Sequence, residues 1–304
     1  MDRDQGTEQM AQAAFLDDRG VLSLDGPEAV DFLQGLVSND VRRVAPDRAI
    51  YAALLSPQGK YLFDFLILEH EGRLLLDVEA ARLPDLLRRL NMYRLRAKVA
   101  IADESQRLRV AAAFGPGALA ALGLGGEAGA ARPFAGGVAA VDPRLAELGA
   151  RLVLPREGAE AALDGAGLAR ADAVAWDDWR LGLGVPDGSR DILVDKSFLL
   201  ESNFEELNGV DFTKGCYVGQ ENTARSKYRG TVRKRIFRVE AREGELPPPG
   251  TPLTAGGREI GTMRSGRGGR GLALVRLEEL EAAGGPLEAG DARVEAVKPD
   301  WVRL

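Results

Sequence analysis

One cysteine, Cys216, and one histidine, His70, are all that 304 residues contain of either type. An intrachain disulfide is therefore excluded, and so are zinc sites built from four cysteines or from a cysteine pair and a histidine pair. A Ser-His-Asp triad would have to use His70, and no G-x-S-x-G elbow occurs. Aromatic residues are scarce, at 6% against 45% apolar overall, so the cores must be aliphatic. No apolar run approaches the roughly 20 residues of a membrane helix. The opening stretch MDRDQGTEQM has neither the apolar centre of a secretory signal nor the Arg-rich character of a presequence. These absences predict a protein of a reducing interior, without a membrane partner and placed in the cytoplasm. The length suits two or three domains.

Lys and Arg number 40 against 46 Asp and Glu, a net charge of −6 that argues against direct nucleic-acid binding. The basic residues are unevenly spread. Residues 214–238, KGCYVGQENTARSKYRGTVRKRIFR, hold eight of them and one acid, a local charge of +7 that leaves −13 for the rest. A solvated strand edge accounts for such a run, and so does a site for an anion such as a polyglutamate tail, a phosphate or an RNA backbone.

Residues 15–24 read as a hairpin turning at Asp18-Arg19-Gly20. A helix follows, capped by Asp25 or Gly26, with Ala29, Phe32, Leu33 and Leu36 on one stripe. Strands are expected at 49–55, 61–68 and 73–78, a helix at 81–91, and strands at 98–101 and 107–114. In the second of these strands, alternation puts Phe63, Phe65 and Ile67 on one face and Leu62, Asp64, Leu66 and Leu68 on the other. Asp64 is thus a carboxylate among leucines, held either by a nearby backbone N–H or by a ligand. Gly115-Pro116-Gly117 lacks phosphate-loop spacing and reads as a loop before a short packing helix. Residues 161–182 read as helical. The prolines of EGELPPPGTPL, 243–253, mark a boundary, followed by short strands at Glu259–Met263, Gly271–Val275 and Ala292–Val297. The fold class is α+β, not a doubly wound parallel sheet.

Cys216 lies between Gly215 and Tyr217, with Gly219 close behind, so backbone can approach a ligand there. A lone cysteine is commonly a small core residue, but neighbouring positive charge, Lys214 first, favours a thiolate. Glu221 and Arg225 are four apart and would pair weakly on a helix.

The run Lys214-Gly215-Cys216-Tyr217-Val218-Gly219-Gln220-Glu221, with Arg225 beyond it, closely resembles the K-G-C-Y-x-G-Q-E-x-x-x-R signature of the YgfZ family, relatives of the glycine cleavage T-protein, an aminomethyltransferase. The likeness extends to Phe32-Leu33-Gln34-Gly35, Ser38-Asn39-Asp40, Ser56-Pro57-Gln58-Gly59-Lys60, Tyr93-Arg94-Leu95-Arg96 and Gly271-Leu272-Ala273-Leu274, and is weakest in the Gly/Ala-rich middle.

That resemblance implies a T-protein-like arrangement of three domains around a central cavity that binds a tetrahydrofolate or a one-carbon derivative. The divisions expected are 1–50 with 161–242 as a folate-binding domain, 51–160 as a ferredoxin-like domain, and 243–304 as a small antiparallel β-barrel. It also implies a role in making or repairing a subset of iron–sulfur proteins, tRNA-modifying enzymes among them, with assembly proteins or client enzymes as partners and Cys216 as the functional residue. The T-protein carries an Asp-Asp pair where this chain has Phe63-Asp64, and it lacks the cysteine signature. Both departures point away from glycine cleavage, although a folate-dependent aminomethyl or methyl transferase stays the alternative. By the same resemblance Asp64, Glu201 and Asn203 are the folate contacts, with no resident metal.

Overall fold

The computed structural model describes residues 10–230 and 232–304, so the stretch read above for a leader lies outside the described residues except for Met10. The first part runs β1 (Gln12–Phe15), β2 (Arg19–Asp25), α1 (Ala29–Gln34), β3 (Ile50–Leu55), β4 (Tyr61–His70), β5 (Arg73–Glu79), α2 (Leu83–Arg94) and β6 (Ala100–Asp103). The second runs β7 (Leu108–Phe114), α3 (Ala118–Ala121), β8 (Ala131–Phe134), β9 (Gly137–Val141), β10 (Ala150–Pro155), α4 (Ala159–Gly165) and β11 (Ala169–Arg170). Three helices, α5 (Ala173–Leu183), α6 (Gly188–Asp191) and α7 (Gln220–Arg229), lead into the last part. There β12 (Lys234–Glu243), β13 (Pro252–Ala255), β14 (Arg258–Arg267), β15 (Arg270–Arg276), α8 (Leu277–Ala282), β16 (Leu287–Ala289) and β17 (Ala292–Val297) follow.

The strands make two sheets and a closed barrel, in the orders β3-β4-β5-β2-β6, β11-β1-β7-β10-β9-β8 and β12-β15-β14-β13-β16-β17. The sheets face each other across a core of Ala14, Val21, Tyr51, Leu66, Val110, Ala112, Val153 and Trp176. The far face of the first sheet packs Phe63, Phe65 and Ile67 against Leu33 of α1 and Leu86 and Leu90 of α2. That of the second packs Ala111, Ala113 and Leu152 against Ala118 of α3 and Leu163 of α4. Both sheets are therefore buried on two sides, which explains why β3 is apolar throughout. The architecture is α+β, as the sequence indicates.

Several boundaries differ from the sequence reading. Residues 15–24 are not a hairpin: β1 pairs with β7 and β11 in the second sheet, while β2 pairs with β5 and β6 in the first. The expected units 1–50 and 51–160 consequently dissolve. One sheet takes 19–103 and the other takes 12–15 with 108–170. The stretch 161–182 is broken by β11, where Ala169 pairs with Gln12, before Asp172 caps α5 through the amide of Ala175 (2.8 Å). The barrel begins at β12, not after the prolines. Phe237 and Val239 fill its interior, so the proline run is a loop between its first two strands.

Strict alternation also fails at one point of β4. The register shifts between Leu54 and Leu55, which oppose Phe63 and Tyr61, so Leu62 is the extra residue. The bulge sends Leu62 to the helix-side core and turns Tyr61 to the face that carries Asp64.

Candidate functional site

The cysteine turn is built on the loop that follows α1. Asn39 donates to the carbonyls of Tyr51 (2.7 Å) and Asn208 (2.8 Å), and the Ser38 hydroxyl donates to that of Gly209 (2.6 Å). Asp211 then accepts from the Thr213 amide and hydroxyl (2.7 Å each) and the Lys214 amide (3.1 Å), a turn that aims Lys214 back at the platform. The Lys214 ammonium donates to the carbonyls of Gln34 (2.8 Å), Val37 (2.6 Å) and Asn39 (2.8 Å). Burial brings its pKa down to about 8, against the pull of Asp40 and Asp211. Lys214 is thus a pin at the foot of the turn, not a free charge for the sulfur.

On the other side of Cys216, Tyr217 is buried, and burial lifts its pKa to about 12. Its amide donates to Oε1 of Gln220 (3.2 Å), the first residue of α7. Gly219, at φ +81°, rests against the Ser56–Gly59 turn, and Asn222 donates to the Gln58 carbonyl (2.6 Å). Between these anchors, Gly215 and Cys216 are exposed, and nothing stands within 4 Å of a Cβ position on Gly215. Glu221 and Arg225 lie exposed on α7, and no ion pair joins them among the described residues.

Much of the +7 segment is spent internally. Lys227 pairs with Glu205, and Arg235 is buried against Glu206 (3.0 Å) and the Leu200 carbonyl. Arg238 donates to the Gly182 carbonyl (2.6 Å) and pairs with Glu240 (3.2 Å). The outward face of β12 uses its charges to seat the barrel on the two-sheet body, so only part of the segment's charge faces a partner.

Asp64 is 8% exposed between the sheets. It accepts from the hydroxyls of Tyr51 (2.8 Å) and Tyr61, and burial, then Asp64 itself, pushes both phenols well above their ordinary pKa. A Cβ on Gly188 would lie 3.5 Å from its Oδ1. Glu201 sits elsewhere, in a groove of about 220 Å³ between the 193–201 segment and the barrel, with Lys234 and Arg264. Burial pushes its pKa up from 4.5, against Lys234 and Lys60. Lys60 adjoins Tyr61, so the two acids flank residues 60–61 without sharing a described cavity. Asn203 is fully buried at φ 62°, and its amide donates to the Ile236 carbonyl of β12 (2.8 Å). That donor is committed to the barrel seam, whereas the side-chain Oδ1 of Asn203 is buried without a hydrogen-bond partner among the described residues.

A further cluster escaped the sequence reading. Arg19 bonds Asp77 (2.6 Å), Arg151 bonds Asp77 (3.0 Å) and approaches Asp142 (3.6 Å), and Arg144 bonds Asp142 (2.7 Å). All five are buried between the sheets. Burial alone would lower the Arg19 pKa, yet Asp77 drives it above the ordinary value; for Arg151 burial prevails and lowers it. Beside this chain lies a cavity of about 200 Å³ lined by Arg19, Arg151, Trp176, Asp177, Asp187 and Arg190. Several of its charges are paired, Asp177 with Arg180 and Arg190, and Asp187 with Arg190. Burial opposes ionisation of Asp187, but Arg180 and Arg19 hold its carboxyl well below the usual range. The one sequence signal for this cluster was a charge inside an apolar strand, as in LLLDVE and ARLVLP.

Among the described residues no group of three or more His, Cys, Asp or Glu could hold a metal ion, and no helix is long and apolar enough to cross a membrane.

Residues 16–124 match the GCVT N-terminal domain, and residues 233–304 match the CAF17 C-terminal beta-barrel domain. The mitochondrial iron–sulfur cluster assembly factor IBA57 of Homo sapiens is 37% identical, over 96% of this chain and 85% of that protein. Its Mus musculus counterpart is 34% identical over 94% and 84%. The glycine cleavage system aminomethyltransferase T of Bartonella henselae superposes with a TM-score of 0.77 at 18% identity, covering 96% of this chain and 86% of that one, and so has the same fold. The cytoplasmic placement expected above is corrected by these relatives, whose names place them in mitochondria. A low cysteine count reports a reducing surrounding, not a particular compartment.

Proposed function

The chain belongs to the family of the iron–sulfur cluster assembly factors IBA57, and from that premise we propose that it serves in the assembly or repair of iron–sulfur proteins, offering Cys216 to an assembly partner or client enzyme. The observation that carries this is an exposed sulfur on a turn fixed at both ends, by Lys214 on three carbonyls and by Tyr217 and Gly219 in the body. A thiol held this way meets a partner's sulfur or cluster without first ordering its own loop. Clusters take about four protein ligands, so a single cysteine acts on cargo whose other ligands the partner supplies. The cysteine signature supports the narrower YgfZ-type reading, in which tRNA-modifying enzymes are among the clients. The test is a deletion strain complemented with the parent or with Cys216→Ser: activity of cluster enzymes should return with the parent only. Full recovery with the serine variant sinks the role of the sulfur.

A tetrahydrofolate, or a one-carbon derivative, is the group that the T-protein fold suggests. A pterin edge presents N–H donors, which suit a free carboxylate. Glu201 supplies one: it makes no hydrogen bond or ion pair among the described residues. Asp64 fits less well, since two phenol hydroxyls already occupy its oxygens. Glu201 is therefore the residue we assign to hold the pterin, in its groove beside the barrel. Phe63, where the T-protein has a second acid, is packed with the helices, which disfavours aminomethyl transfer. Calorimetric titration with tetrahydrofolate should give heat with the parent and less with Glu201→Gln; no heat with the parent removes the folate reading.

A further inference from the structure

We infer that the seam between the 193–201 segment and barrel strands β14 and β15 is a binding site for an oxyanion, a phosphate or carboxylate group, held chiefly by Arg264. Arg264 lies in the β14 bulge, where the register against β15 breaks between Met263 and Gly266. A bulge re-aims side chains, and here both Arg264 and Ser265 turn inward, at 5% and 6% exposure. Ser265 finds its partners there: its amide donates to Asp191 (2.8 Å), and Arg180 donates to its hydroxyl (2.9 Å). Arg264 does not. Its single hydrogen bond among the described residues is a 3.4 Å contact to the carbonyl of the preceding Met263, and it forms no ion pair. The nearby carboxylate of Asp191 is already occupied by Arg180 (2.8 Å) and by the amides of Asp187 and Ser265 (2.8 Å each).

A guanidinium removed from water without a carboxylate is costly, and a forked donor facing a cavity is the arrangement that takes a two-oxygen acceptor. The surroundings agree in sign. Arg264 lines the groove with Lys196, Lys234 and Arg276, against Glu201 and Glu259. Arg276 and Glu259 offset each other at 3.7 Å, leaving three cations facing one acid. This inference stands on Arg264 and its bulge, independently of the folate reading.

The experiment is calorimetric titration of the full chain at constant low ionic strength with two probes, inorganic phosphate and glutarate. One of them should saturate a single site. Phosphate alone identifies a phosphate source for the ligand, and glutarate alone a carboxylate source. Arg264→Gln should weaken that binding by about tenfold or more, the loss of a charge-assisted hydrogen bond. Lys234→Gln, at the half-exposed rim, should weaken it a few-fold and keeps the test alive if the buried variant fails to fold. Glu201→Gln should tighten it. The proposal is overturned if neither anion saturates the parent, or if both Arg264→Gln and Lys234→Gln bind as the parent does. It is equally overturned if Arg264→Gln lowers the melting temperature while no anion raises that of the parent, for Arg264 would then be purely structural.

Discussion

Gly59 and Gly219 meet backbone to backbone: a Cβ on Gly219 would lie 3.1 Å from the Cα of Gly59, and one on Gly59 would lie 2.8 Å from the Gly219 carbonyl oxygen. Both have positive φ, 74° and 81°. The strand turn before β4 and the cysteine turn are thus mutual templates. Gly219→Ala should cost about 1–3 kcal/mol through strain and displacement. Gly215→Ala, in open space, should cost under about 1 kcal/mol. Urea denaturation of both variants checks the contrast, and equal losses would remove the close approach as the cause.

The thiol of Cys216 is exposed on a fixed turn, so alkylation by a maleimide should proceed in the native protein at nearly the rate found in denaturant. Cys216→Ser should change stability by no more than about 0.5 kcal/mol. Strong native-state protection of the thiol would contradict the exposed turn.

Glu201 is more basic in the folded chain than its ordinary 4.5, because burial disfavours its charge. The folded state therefore binds more protons than the unfolded one just above pH 4.5, and this contribution to stability is lost as pH rises through the folded value. Glu201→Gln should flatten that loss and melt higher than the parent at pH 7. Thermal melts between pH 4 and 7 test it; a lower melting temperature for the variant at pH 7 would show that Lys60 and Lys234 outweigh the burial.

Asp77 serves two buried arginines, Arg19 and Arg151. Asp77→Ala strands both charges and should cost about 3–5 kcal/mol. Arg151→Met leaves Asp77 with Arg19 and should cost clearly less. The order of the two urea midpoints decides whether Asp77 is the hub.

The barrel starts with β12, whose Phe237 and Val239 lie in its interior. A fragment from residue 232 to 304 should give a cooperative thermal transition, whereas one from 243 to 304 should not. Cooperative unfolding of the shorter piece would show that the barrel closes without β12.

Apolar runs bounded by turn residues made β3, β5 and β15 legible, alternation did so for β17, and the Leu83, Leu86, Leu90 stripe did so for α2. Long-range pairing was not legible. Nothing near β1 says that its neighbours are β7 and β11, and the arginines of β12 concealed a barrel strand whose alternate residues are apolar. The signature made the cysteine turn visible, but Lys214 read as a charge for the sulfur, because its three carbonyl partners lie more than 170 positions away in sequence. Bulges hid the rest. That at Leu62 brought Tyr61 to Asp64, and that at Arg264 turned a surface-looking arginine inward.

The turn between β1 and β2, which delivers consecutive strands to different sheets, also dictates an order of events during synthesis. The first sheet has all five strands once residue 103 has left the ribosome, so it can close early. β1, although made first, must wait for β7, and its outer edge stays open until Ala169 and Arg170 emerge. Until then β1 is an unpaired edge of the nascent chain, and it is there that a chaperone would find its grip.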